Sequence, residues 1–219
     1  RHGAGDIYVM NADGSQISRL TQFGTLRTET SYPWGIAPVW SPDGRQIAFY
    51  ADLVQGIGIY SMSRDGSDMA FLAESADHEP AWSPDGKQIA FTSEHDGNPD
   101  IYVINADGTR QRRLTDDPAS DRYPSWSPDG KTIAFFSGGI DSYVYLINAD
   151  GTQQRSLNTP RAWGEGSAWS HDGSRLAFYC WSPYWSVCVV DADGSNLVSF
   201  RPLRKASRMR PCWLPDDNH

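Results

Sequence analysis

Asp77, His78 and Glu79 stand side by side, the polar trio expected near the pocket. Held around a substrate, such a trio does acid–base work; left in a solvated loop, it does none. The other histidines (His2, His95, His171 and His219) are scattered. There is no Gly-x-Ser-x-Gly nucleophile turn and no Gly-rich phosphate loop. Paired carboxylates for glycoside cleavage are not identified by sequence alone, which sets no separation: Glu79 and Glu165 are one pair among many that could face each other across the mouth. The three cysteines are too few for a disulfide scaffold and are not spaced as a zinc site. Cys180 and Cys188 flank a Trp-rich stretch, where antiparallel strands would bring them within bridging range or leave them as buried thiols. Cys212 reads as a small core residue. No loop has the Asp-x-Asp-x-Asp-Gly pattern with a distal Glu, so calcium is a weak signal and no cofactor is expected. The expectation is a protein that is not an enzyme.

Tryptophan is the more informative residue. Of nine, five belong to a repeat; the others are Trp34, Trp163, Trp181 and Trp185. A large apolar ring with one donor, placed in a loop, is suited to stacking on a ligand or anchoring an interface.

These residues are positioned by an internal repeat. Trp-Ser-Pro-Asp-Gly occurs at Trp40, Trp82 and Trp126, returns as Trp-Ser-His-Asp-Gly at Trp169, and fades to Trp-Leu-Pro-Asp at Trp213. The spacings are 42, 44, 43 and 44 residues. In phase runs a second motif: Asn11–Gly14, Ser63–Gly66, Asn105–Gly108, Asn148–Gly151 and Asp191–Gly194. Each Asp-Gly is a turn that admits positive φ and joins antiparallel strands. The segments between are rich in Ile, Val, Phe and Tyr, and no long 3.6-residue period occurs. Each unit therefore reads as four short strands, A to D, with almost no helix. A sheet of four strands cannot cover both of its faces, so the units must pack in a ring. Phe49, Phe91, Phe135 and Phe178, each with its repeat Trp, are expected between the sheets.

The pattern Pro-x-Trp-Ser-Pro-Asp-Gly, Ile-Ala-Phe, Ile-Tyr-Val-x-Asn-Ala-Asp-Gly and Arg-x-Leu-Thr resembles the WD-like repeat of the TolB-type β-propellers, over nearly the whole chain. That resemblance implies an extracytoplasmic bacterial setting and a protein-interaction role; such propellers also occur attached to serine peptidases and other enzymes.

The expected fold is all-β: one domain over 1–219, a propeller of five four-stranded blades closed by its termini. The closing blade would be built from 1–21 and 208–219, with Asp6–Thr21 giving strands C and D and Arg210–Trp213 giving strand A. Its strand B has no counterpart in the sequence and in register would precede Arg1. The chain is therefore expected to be part of a longer one, or to fill the gap irregularly with Arg1–Gly5 or Leu214–His219.

The A–B and C–D turns share one face and are nearly identical, and their Asp residues read as turn caps. The B–C and D–A loops lie on the opposite face and vary, which is where a rigid scaffold carries its function. The four extra Trp residues and Tyr184 sit there. Glu79, Tyr123 and Arg210, at the mouth of the channel, together with Glu165, complete the candidate binding set. A net charge of −8 and a pI near 5.0 argue against nucleic acid, since the basic cluster is confined to Arg201, Arg204, Lys205, Arg208 and Arg210. No apolar run is long enough to span a membrane. The expected partner is a protein, with a carbohydrate-binding module as the alternative and a hydrolase as the least favoured reading.

Overall fold

The Asp-Gly turns close as their sequence requires. In Ser41–Gly44, Ser83–Gly86, Ser127–Gly130 and Ser170–Gly173 the Gly N–H donates to the Ser carbonyl at 2.9 Å. Each of these glycines has φ between +67° and +72°, the region that excludes most L side chains. Around these turns the computed structural model, which describes residues 6–23, 37–75, 80–139, 141–181, 184–201 and 211–214, builds four four-stranded antiparallel sheets.

Sheet I comprises β3 (Val39–Trp40), β4 (Gln46–Leu53), β5 (Gly56–Ser63) and β6 (Ala70–Glu74). Sheet II comprises β7 (Ala81–Trp82), β8 (Gln88–Ser93), β9 (Asp100–Asn105) and β10 (Arg112–Arg113). Sheet III comprises β11 (Asp121–Trp126), β12 (Thr132–Ser137), β13 (Tyr143–Asn148) and β14 (Arg155–Ser156). Sheet IV comprises β15 (Arg161–Trp169), β16 (Arg175–Trp181), β17 (Trp185–Asp191) and β18 (Val198–Phe200). Ahead of them β1 (Tyr8–Val9) and β2 (Ser18–Arg19) pair as two strands only. The described residues contain no helix.

The sheets meet face to face. Ala48, Ile59 and Ala73 of sheet I bury against Trp82, Ile89 and Phe91 of sheet II. The same layer recurs between sheets II and III and between sheets III and IV. Phe49, Phe91, Phe135 and Phe178 are all fully buried, as expected. The repeat Trp residues link neighbouring sheets by hydrogen bonds as well. The indole N–H groups of Trp82, Trp126, Trp169 and Trp213 donate to the carbonyls of Val39, Ala81, Ser125 and Ala168 at 3.0–3.2 Å. Each acceptor immediately precedes the Trp of the previous repeat. Trp40 departs from the pattern: it is 46% exposed.

The ends are less regular than the repeat predicts. The β1–β2 pair packs on sheet I through the flanking Ile7 and Leu20. Residues 211–214 reach sheet IV through Trp213, whose ring lies under the Arg175 guanidinium at 4.8 Å, but they form no strand. Among the described residues no four-stranded closing sheet is formed.

Candidate functional site

Sheet IV carries the variable-face feature that the sequence singled out. β16 and β17 form a hairpin whose last cross-strand pair is Trp181 and Trp185. Their rings meet edge to face at 5.0 Å. β15 brings Trp163 opposite Tyr179, so its ring stands 5.6 Å from Trp185 at 63°. Tyr179 stacks on Trp185 at 5.9 Å. Trp181 and Trp185 remain 45% and 40% exposed. Tyr184, at the hairpin tip, lies under the Arg201 guanidinium at 4.4 Å.

The hairpin is braced from within. Cys180 and Cys188 form a disulfide with Cα atoms 5.8 Å apart, both fully buried. They are not directly opposite each other: Cys180 pairs with Ser186 and Cys188 with Phe178, so the bridge is diagonal. Centring the loop on Tyr184 misplaces this register by one residue per strand, because Trp181 faces Trp185. Cys212 is an exposed free thiol rather than a core residue.

Between the rings lies a cleft of about 210 Å³, lined by Asp141, Arg161, Ala162, Trp163, Trp181 and Trp185. Asp141 comes from the B–C loop of sheet III and pairs with Arg161 of β15 at 3.0 Å. Sequence reading missed both. They lie twenty residues apart in different repeats and are brought together where the Ala162 N–H donates to the Ser142 carbonyl.

The remaining candidates fall elsewhere. Tyr123 is half-buried, has φ +60°, and packs its ring edge on Phe136 rather than lining the cleft. Trp34, Glu79 and Arg210 lie outside the described residues, as do Asp77 and His78, and so does the Glu165 side chain. No group of three or more His, Cys, Asp or Glu able to hold a metal occurs among the described residues.

A second polar feature, between sheets II and III, was not visible in the sequence. Asp100 and Asp121 are fully buried. Asp100 pairs with Arg113 at 2.6 Å and accepts from Thr115. The same arrangement of Asp, Arg and Thr occurs at Asp6, Arg19 and Thr21, so it is a latch between strands C and D. Among the described residues Asp121 has no such cation, and its carboxylate oxygens make no hydrogen bond of ordinary length. Burial pushes its pKa up to about 7, against the hydroxyls of Ser137 and Thr115 and with Asp117 and Asp100 adding repulsion.

On the opposite face the Asp residues are turn caps, as read. Asp43, Asp85, Asp129 and Asp172 each accept from the repeat Ser hydroxyl at 2.6–2.7 Å and from the N–H two residues on. A hollow of about 360 Å³ lies between two of these turns, but the side chains of Ser83, Asp85 and Asp129 that line it are held in turn hydrogen bonds.

Repeated four-stranded sheets, their strands joined by Asp-Gly turns and their faces layered together, define a β-propeller-type repeat protein. The model of the TolB beta propeller domain matches residues 72–183, just over half of the chain, and the protein belongs to that family. Among solved structures, putative TolB from Agrobacterium tumefaciens is 22% identical, with a TM-score of 0.67 over 84% of this chain and 72% of that one. TolB from Acinetobacter baumannii is 23% identical, with a TM-score of 0.72 over 89% of this chain; the chain spans about half (48%) of that protein. An oligogalacturonate lyase in complex with manganese is 16% identical, with a TM-score of 0.65 over 89% of this chain and 58% of that one. At these identities the likeness is one of fold. No curated protein matches the chain.

Proposed function

We propose that this protein is a non-catalytic binding module that holds a protein partner on its variable face, with the aromatic hairpin of sheet IV as the anchor. The observation that carries the reading is the exposure of Trp181, Trp185 and Tyr184 together on one rigid, disulfide-braced hairpin. Large apolar rings grouped on a stiff support are what an interface core uses, because ordering them on binding loses little entropy. Membership of the TolB beta propeller domain family supports a protein-binding scaffold. The charged pair in the cleft, Asp141 and Arg161, is engaged with itself rather than poised as an acid and a base. The buried disulfide fits an oxidising, extracytoplasmic setting, as does the likeness to TolB. Five blades, with β1–β2 and the Trp213 segment sharing the last, remain the arrangement we favour: Trp213 already makes the inter-sheet bond of its repeat.

The test is affinity capture from envelope extract on three immobilised forms: wild type, Trp181→Ala/Trp185→Ala, and Arg110→Glu on the turn face. The reading expects a defined protein retained by wild type and Arg110→Glu and lost with the double Trp variant. Equal retention by all three, or loss only with Arg110→Glu, would overturn it.

A further inference from the structure

The cleft has an uneven stock of hydrogen-bonding groups. Trp82, Trp126, Trp169 and Trp213 all donate their indole N–H to backbone carbonyls. Trp181 and Trp185 make no such bond among the described residues, although both line the cleft. An indole donates and does not accept, and a guanidinium likewise only donates. The acceptor among the lining side chains is Asp141, one of whose two carboxylate oxygens is held by Arg161 at 3.0 Å. The Ala162 N–H is bonded to the Ser142 carbonyl. The lining side chains therefore present aromatic walls and unused indole donors against one uncommitted carboxylate oxygen.

Its size narrows the occupant. About 210 Å³ falls below the roughly 300–1,000 Å³ of sites that enclose a drug-sized ligand. It suits one or two residues of a longer chain lying across it. From these observations, and resting on the reading of a protein partner, we infer that the Trp163–Trp181–Trp185 cleft seats a proline-rich, extended segment of that partner. Proline lacks an N–H, so such a segment brings apolar rings and carbonyl acceptors but few donors. Its polyproline II backbone is already extended and loses little entropy on binding, and its unpaired carbonyls accept from tryptophan donors in aromatic-lined grooves. A glycan is the poorer match, because it brings several hydroxyl donors to a lining whose side chains leave one carboxylate oxygen to accept them.

Tryptophan emission tests this on the intact chain, titrated with a ten-residue oligoproline, a Gly-Ser peptide of equal length, and cellohexaose. Wild type is compared with Trp181→Ala and with Trp185→Phe, which keeps a ring but removes the N–H; thermal melts confirm that both variants are folded. The expected result is a saturable emission shift with oligoproline alone. Trp181→Ala should weaken it about tenfold, and Trp185→Phe about threefold, the loss of one hydrogen bond. The inference is overturned if oligoproline leaves wild-type emission unchanged, if it binds Trp181→Ala as tightly as wild type, or if cellohexaose binds and oligoproline does not. Loss of oligoproline binding alongside Trp-dependent capture of a protein would remove the proline-rich class and leave the module reading standing.

Discussion

The indole N–H of Trp169 donates to the carbonyl of Ser125, 3.1 Å away and 44 residues earlier in the chain. This bond ties the first strand of one sheet to that of the sheet before it, and its equivalents recur at Trp82, Trp126 and Trp213. One donor per repeat thus fixes the spacing of the sheets that carry the variable loops.

Trp169→Phe should therefore destabilise the protein by about 1–2 kcal/mol, since it leaves a part-buried carbonyl without its donor. In a chain of this length that lowers Tm by about 2–8 °C. Trp40→Phe, at the exposed repeat position, should change stability by no more than about 0.5 kcal/mol. Equal losses in thermal melts of the two variants would contradict the assignment of the bond as a sheet-to-sheet tie.

Much of this architecture was legible in the sequence, for a definite reason. Asp-Gly turns and Ile-Ala-Phe strands are local signals, and their recurrence at near-constant spacing fixes both the sheets and the faces on which the loops fall. Trp163, Trp181 and Trp185 could be placed on the variable face by counting turns. The pairing of Asp141 with Arg161 could not, because it joins loops of different repeats and depends on how sheets III and IV twist. Nothing local in the sequence marks Asp121 as buried; its burial follows from the docking of β11 beside Pro99, whose carbonyl accepts its N–H. The closing sheet was inferred by counting strands, and counting gives no access to how residues outside the repeat pack.

The Asp172 turn cap makes a prediction about acid. Its carboxyl is held down at about 2 by hydrogen bonds, first from the Ser170 hydroxyl, then from the Ser174 N–H and hydroxyl. A depressed native pKa contributes stability above the unfolded value near 4, lost as pH falls toward 2. Asp172→Asn should melt below wild type at pH 6, and the gap should close between about pH 4 and 2. A gap that persists at pH 2 would contradict the cause given.

Asp121 works in the opposite sense. Its native pKa of about 7 lies above the unfolded value, so the native state holds a proton that the unfolded chain gives up. Its stabilising effect is complete below about pH 4 and declines as pH rises to about 7. Asp121→Asn cannot ionise, so its Tm advantage over wild type should grow across that window and level off above it. A constant difference from pH 3 to pH 8 would show that the carboxyl is not held protonated.

The Cys180–Cys188 bridge closes a short loop, the cysteines standing eight positions apart in the chain. Loop-closure entropy for that length gives about 2–3 kcal/mol. Cys180→Ser/Cys188→Ser should lose about that much in denaturant unfolding, with faster amide exchange concentrated at Trp181 and Trp185. Unchanged exchange at the hairpin would mean that the bridge does not brace the aromatic cluster.

The central claim, that the variable face at sheet IV holds a protein partner, is tested most directly by site-specific photo-cross-linking. A photoreactive residue is placed at Tyr184 in one form and at Arg110, on the turn face, in another. Both are irradiated with envelope extract, and the adducts are resolved by mass spectrometry. The account predicts a discrete protein adduct from position 184 and none from position 110. A discrete adduct from position 110 with none from 184 would contradict it.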